Sequence, residues 1–206
     1  MDQGSDIVVV GASRGGLKAL QVLLSGLPAE FPLPIAIVQH RGSDSDLGLP
    51  EFLARSSKLP LKEPEDKEPV RAGYAYLAPL HYHLLIEDRC FALSIDSPVA
   101  YARPSIDVLF ESVADEYEDR AIGVILTGSN RDGARGLKKI KDCGGLAIVE
   151  DPASAAYREM PDAAVASTAV DWILPLSEIG PHLEKLGRSA TNGQTARAAA
   201  PEHHDY

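Results

Sequence analysis

Ile7-Val8-Val9-Val10-Gly11-Ala12-Ser13-Arg14-Gly15-Gly16, followed at once by Leu17-Lys18-Ala19-Leu20, decides the fold of this chain. The four apolar residues are too few for a buried helix and suit a buried strand. The glycines then turn the chain, and Leu17, Leu20, Leu24 and Leu27 recur at helical spacing up to the prolines that follow. Strand, glycine turn and helix are the opening of a unit that repeats along the sequence. Ile35-Ala36-Ile37-Val38 reads as a second buried strand, and Ile122-Gly123-Val124-Ile125-Leu126 and Leu146 to Val149 read as later ones. Helices are predicted over Ile106 to Ala114 and after Asp132. Short apolar strands flanked by helices imply a mostly parallel sheet covered on both faces. Tyr74-Ala78, Leu84-Glu87 and Phe91-Ile95 are spaced closely enough for an antiparallel meander, and no clear pair of βα units lies between the second strand and Leu126.

Composition narrows the function. The chain has 206 residues, 45% of them hydrophobic, enough for one sizeable core and one domain. It carries 30 acidic against 20 basic side chains, a formal net charge of -10, with no cluster of Lys and Arg, which argues against a nucleic-acid partner. Cys90 and Cys143 show no metal-type spacing and read as buried free thiols. The amino terminus lacks a secretory signal and no stretch is long and apolar enough to insert in a membrane, so a cytoplasmic protein is expected. From Arg188 to Tyr206 the composition predicts a disordered tail, whose paired His203 and His204 read as solvated.

The glycine turn admits two chemistries. A dinucleotide seat uses such a turn to bring backbone against a pyrophosphate, and GASRGG resembles the opening of short-chain dehydrogenases, with Arg41 placed to meet a 2'-phosphate. Against it, the G-x-G-x-x-G spacing is absent and no tyrosine is followed by lysine at the Tyr-x-x-x-Lys spacing. The alternative is a nucleophile, since Gly11 to Gly15 fits G-x-S-x-G, which presents Ser13 on a sharp turn before a helix. A serine that merely caps the helix fits the turn equally well.

A serine hydroxyl needs a base and an orienting carboxylate. His40 lies just past the second strand, and Asp132 lies in Thr127-Gly128-Ser129-Asn130-Arg131-Asp132-Gly133, after another buried strand. Adjacent parallel strands put their carboxyl ends on one edge, so Ser13, His40 and Asp132 can share a crevice.

These residues belong to a wider pattern. GASRGG, Gln39-His40, the stretch Arg103 to Phe110 (RPSIDVLF), GVILTGSNRDG from Gly123 to Gly133, and Asp151 to Ala155 with Met160-Pro161 closely resemble, in order, the catalytic domain of the chemotaxis protein-glutamate methylesterase, CheB. The resemblance implies a doubly wound, mainly parallel α/β domain over residues 1–187 with a small antiparallel portion. It places the family's nucleophile on Ser13, its base on His40 and its orienting carboxylate on Asp132. It implies a serine carboxylic ester hydrolase that removes glutamate γ-methyl esters, releasing methanol, with glutamine deamidation as a second activity and no cofactor or metal. The implied partners are the methylated cytoplasmic helices of chemoreceptors. A receiver domain usually precedes the catalytic domain in this family. Here Met1 stands close before the first strand, which leaves three expectations: a stand-alone enzyme regulated by a partner such as a separate receiver protein, a fragment of a longer protein, or a member adapted to another sensory pathway.

Other expectations attach to single residues. Backbone N–H groups near Arg14, at a helix start, are candidates for an oxyanion hole. Arg14 stands where the family more often has a small or hydroxyl residue, and Ser129 replaces a methionine beside the oxyanion site. Arg103 is expected on the site rim, and Met160 in the cleft or the core. His81 and His83 can share one face of a strand, but the sequence places no further ligands beside them, so a structural role is expected over metal ligation. Two other readings stay open: an NAD(P)-binding, dehydrogenase-like protein, and a receptor-binding scaffold without catalysis.

Overall fold

The computed structural model describes residues 6–41 and 48–198, with side chains up to Ser189. Its centre is β1 (Ile7–Ala12), whose residues are all buried. Val8, Val10 and Ala12 point into one core cluster and Ile7 and Val9 into the other, so the strand separates two hydrophobic layers. An apolar run covered on both faces has no solvated side to alternate with, which is why it reads as continuous hydrophobicity.

Chain order then sets the topology. After β1 come α1 (Gly16–Ser25), β2 (Ile35–Gln39), α2 (Leu49–Ala54), β3 (Leu61–Lys62) and β4 (Ala75–Leu77). A hairpin of β5 (His83–Glu87) and β6 (Cys90–Ser94) leads to α3 (Ile106–Tyr117), β7 (Ala121–Ile125), α4 (Ala134–Asp142) and β8 (Leu146–Glu150). Then follow α5 (Glu159–Ser167), β9 (Trp172–Leu174) and α6 (Leu176–Ala198). The seven-stranded sheet runs β3-β4-β2-β1-β7-β8-β9, with every pairing parallel. It grows from β1 in one direction through β2 and in the other through β7. The switch point is therefore at β1, and the crevice outside its carboxyl end is where such sheets bind ligands. The cluster on one face takes leucines of α1 with Ile179 and Leu183 of α6. On the other face Leu109 and Phe110 of α3, Leu137 and Ile140 of α4, and Met160 and Ala164 of α5 share a cluster with the hairpin's Leu84, Ile86 and Phe91.

The expected meander is corrected in part. Of the three expected strands, β5 and β6 pair antiparallel, through a turn in which Asp88 and Arg89 have φ of 49° and 59°. Left-handed conformation at both central residues is what a two-residue hairpin turn requires. The segment around Ala75 instead joins the parallel sheet between β2 and β3. The reason is burial: Ala75 and Leu77 enter one cluster and Tyr76 the other, which an edge hairpin cannot provide. The elements between β2 and β4 that the sequence does not reveal are thus α2 and β3, both too short to show a period. Helix α6 continues to Ala198, past Arg188, where composition predicts a disordered tail, and His203 and His204 lie outside the described residues. Among the described residues no helix is long and apolar enough to cross a membrane.

Gly133 shows how tightly the two halves of the sheet's crevice are fitted. It precedes α4 with φ of 96°, and a Cβ there would lie 2.6 Å from both Ile106 Cγ2 and Ile125 Cδ1. Left-handed backbone and overpacking both penalise a side chain. Gly133→Ala should therefore lower stability by about 2–4 kcal/mol, read as a fall in the urea midpoint. An unchanged midpoint would contradict this packing.

Candidate active site

Three strand ends meet at the crevice. Beyond β1 the chain turns through Ser13, Arg14 and Gly15, with Gly15 at φ of 80°. This left-handed residue lets Gly16 N–H donate back to Ser13 O at 2.9 Å and start α1. Ser13 N–H donates to Thr127 O at 3.0 Å, which fixes the serine against the end of β7. His40 follows β2, with its N–H donating to Ala12 O at 3.0 Å. The buried Gln39 amide joins the two ends, Nε2 donating to Ser13 O and to His40 O, each at 2.8 Å.

The side chains then form a series. Ser13 Oγ lies 3.2 Å from His40 Nδ1, and His40 Nε2 lies 2.7 Å from Asp132 Oδ2. An ionised carboxylate can only accept, so Nε2 carries the proton and Nδ1 presents its lone pair to the serine. Hydroxyl, imidazole and carboxylate in this order can pass a proton from Ser13 toward the ring while the carboxylate holds the ring's tautomer.

Asp132 is buried and fully engaged. Besides His40 it accepts from Ser105 Oγ at 2.8 Å, Ile106 N–H at 2.7 Å and Asp107 N–H at 3.0 Å. The last two are free N–H groups of the first turn of α3, where an anion is favoured. Asp107 returns the arrangement, its Oδ1 accepting Gly133 N–H at 2.9 Å and Gly136 N–H at 2.8 Å at the start of α4. Each carboxylate thus sits at the N-terminus of the other's helix. Burial pushes the Asp132 carboxyl up, but the bonds from His40 and from the Asp107 and Ile106 N–H groups outweigh it and hold it below the usual carboxylate range. For Asp107 burial wins, reinforced by the Asp132 charge, and its carboxyl is raised despite the Gly136 and Gly133 N–H groups.

The cleft over these groups measures about 460 Å³ and is lined by Ser13, His40, Arg41, Tyr101, Arg103 and Asn130, among others. Of the expected contributors, Arg103 is on this wall, its Nη1 donating to Ile95 O at 2.7 Å and Asp96 O at 3.0 Å. Arg14 is exposed, its guanidinium 4.7 Å from the Tyr157 ring centroid. Ser129 is exposed on the β7 loop. Met160 belongs to the core rather than the cleft, because its N–H donates to Gly128 O at 3.0 Å and its thioether fills the space a Gly128 side chain would need. Arg41, the residue a 2'-phosphate would need, has its Nη2 committed to Glu63 Oε1 at 2.9 Å and Ala78 O at 3.1 Å. His81 lies in an exposed turn with φ of 68°, whereas the buried His83 accepts Ser105 N–H on Nδ1 and donates from Nε2 to Ser97 O. Among the described residues no cluster is arranged to hold a metal ion.

Sequence reasoning missed Asn130, Gln39 and Asp107 as members of the site. Asn130 had a local signal, since Asn two residues before a backbone N–H favours an Asx turn. The bond of Gln39 to Ser13 O and those of Asp107 to Gly133 and Gly136 span elements far apart in sequence, and the one signal for either residue was its place in a stretch that resembles the family.

Comparison with known proteins places the chain in one family. A family model described as CheB methylesterase matches residues 8–183. A putative protein-glutamate methylesterase/protein-glutamine glutaminase of Leptospira interrogans is 49% identical over 175 residues, which is 84% of this chain and 91% of that protein. Protein-glutamate methylesterase/protein-glutamine glutaminase 2 of Anaeromyxobacter dehalogenans is 45% identical over 89% of this chain, which spans 54% of that longer protein. The crystal structure of the Thermotoga maritima CheB methylesterase catalytic domain superposes with a TM-score of 0.84 at 34% identity, over 89% of this chain and 99% of that one.

The raised Asp107 carboxyl yields two predictions of opposite sign. Asp107→Ala leaves two buried N–H groups without their acceptor and should cost about 1–3 kcal/mol. Asp107→Asn keeps the acceptor and removes a charge whose folded-state pKa is raised. It should match or exceed the parent's stability at neutral pH, with any gain fading as acid protonates Asp107 in both states. Urea titrations from pH 7 toward pH 3 check this, and an Asn variant as unstable as Ala would contradict it.

Proposed function

The chain belongs to the CheB methylesterase family, and from that premise we propose that it hydrolyses glutamate γ-methyl esters on the cytoplasmic helices of chemoreceptors with a Ser13-His40-Asp132 triad. The observation that carries the reading is the unbroken series Ser13 Oγ, His40 Nδ1, His40 Nε2, Asp132 Oδ2, with contacts of 3.2 and 2.7 Å, at the sheet's switch point.

The steps follow from this order of atoms. Ser13 Oγ attacks the ester carbonyl carbon while its proton passes to His40 Nδ1. The imidazolium so formed is stabilised through Nε2–H by Asp132, which stays ionised because its other bonds favour the charge. Collapse of the tetrahedral intermediate expels methanol, which takes the proton from Nδ1 and leaves an acyl group on Ser13. Water then enters, gives a proton to Nδ1 and attacks the acyl carbon. Return of the proton to Ser13 releases the glutamate.

The developing oxyanion needs donors fixed in advance. Among the described residues, the Arg14 and Gly15 N–H groups have no hydrogen-bond partner, and they stand at the start of α1 next to Ser13. They are the donors we assign. A glutamine side chain offers the same carbonyl with ammonia as leaving group, so the same residues support deamidation.

Methanol release from methylated chemoreceptor membranes tests the proposal. Ser13→Ala should lower the rate by at least ~10³-fold, and His40→Gln and Asp132→Asn by roughly 10³–10⁴-fold, with hydrolysis of a small activated ester falling in parallel. Activity that survives Ser13→Ala would overturn the assignment. Release from neither the parent nor the mutants, on membranes and activated ester alike, would favour a binding protein without catalysis.

A further inference from the structure

We propose that Asn130 is a positioning residue that competes with Ser13 for the one free lone pair of His40, and so restrains the resting site until the side chain is displaced. The inference rests on the triad assignment above. Asn130 lies half-buried in the loop after β7, on the wall of the cleft. Its Oδ1 accepts Asp132 N–H at 3.2 Å, closing an Asx turn. Only the carbonyl end of an amide can accept, so the NH₂ end faces away from Asp132 N–H. It lies 3.1 Å from His40 Nδ1.

His40 can satisfy only one such donor well. With Nε2 donating to Asp132 at 2.7 Å, Nδ1 has a single in-plane lone pair. Two donors converge on it, the Ser13 hydroxyl at 3.2 Å and the Asn130 amide at 3.1 Å. The serine contact is long beside the ~2.7–2.8 Å usual for a hydroxyl donor. A lone pair shared in this way holds the serine proton less firmly.

The conflict sharpens during reaction. As Ser13 Oγ bonds to the ester carbon, its proton moves to Nδ1, which turns from acceptor into donor. An N–H on Nδ1 then confronts an N–H of Asn130. Asn130 must therefore leave Nδ1 at each proton transfer, including those of deacylation, and its contact stabilises the resting state without stabilising the transition state. Interactions of that kind slow the chemical step. Rotation of one side chain is enough to break the contact, since the Asx turn is local to residues 130–132.

The test separates this contact from the turn. Asn130→Ser retains an oxygen that can accept Asp132 N–H but is too short to reach Nδ1, and Asn130→Ala removes both. Measured on the intact protein with methylated receptor membranes and with a small activated ester, both variants should raise kcat roughly 2- to 10-fold, the worth of one net hydrogen bond, with KM little changed. Asn130→Asp, whose carboxylate draws a proton onto Nδ1 and leaves Ser13 without an acceptor, should lower kcat by more than about 100-fold. Thermal unfolding of each variant establishes that it is folded. Ser13-dependent activity with kcat unchanged or lowered in a folded Asn130→Ser variant would overturn the inference alone. Activity that does not need Ser13 would overturn the triad assignment and this inference with it.

Discussion

The structure around the crevice depends on a buried negative charge. Asp132 has been taken out of water, which for an isolated carboxylate is prohibitive, and it stays ionised because four donors surround it. Two of those donors exist only because α3 begins there and leaves its first N–H groups free. Asp107, on that same first turn, does the equivalent for the start of α4. The two helices therefore fix each other's position through their carboxylates, and α3 and α4 pack side by side on one face of the sheet. Removing either carboxylate disturbs a helix start as well as a charge.

This arrangement explains why the ring of His40 is oriented as it is. The Asp132 oxygen that faces the ring is held in place by Ile106 N–H, so Nε2 is drawn toward α3 and Nδ1 is left facing Ser13. Ser13 in turn is held by Thr127 O and by Gln39, both outside its own turn. Thr127 N–H donates to the buried Glu150 at 2.8 Å, whose carboxyl is raised by burial despite that bond. Ser13 and His40 thus sit just beyond strand ends and are supported from β2, β7 and β8. Support of this kind is what holds reacting atoms within the narrow geometry that catalysis needs.

Much of this was legible in the sequence. Ile7 to Leu20 declares strand, turn and helix in one stretch, and the parallel sheet then puts the ends of β1, β2 and β7 on one edge, which is enough to bring Ser13, His40 and Asp132 together. What escaped was set by contacts without a local period. The β4 strand has three residues, and its place between β2 and β3 is decided by burial on two faces. Met160 lies in a segment that resembles the site of its family, yet its position follows from the absence of a side chain at Gly128. The part played by Asn130 depends on which end of its amide faces Asp132 N–H, and no spacing in the sequence encodes that.

Catalysis by the proposed triad turns on the tautomer of His40, because the hydroxyl of Ser13 has an acceptor only if Asp132 holds the ring proton on Nε2. Long-range ¹H–¹⁵N NMR of the imidazole nitrogens at mildly alkaline pH, with the signals assigned by comparison with His40→Gln, measures this directly. A protonated Nε2 and an unprotonated Nδ1 are predicted for His40, with the Nε2 proton shifted downfield by its bond to the carboxylate. A proton found on Nδ1 in the resting protein would contradict the account, since Ser13 would then face a donor in place of a base.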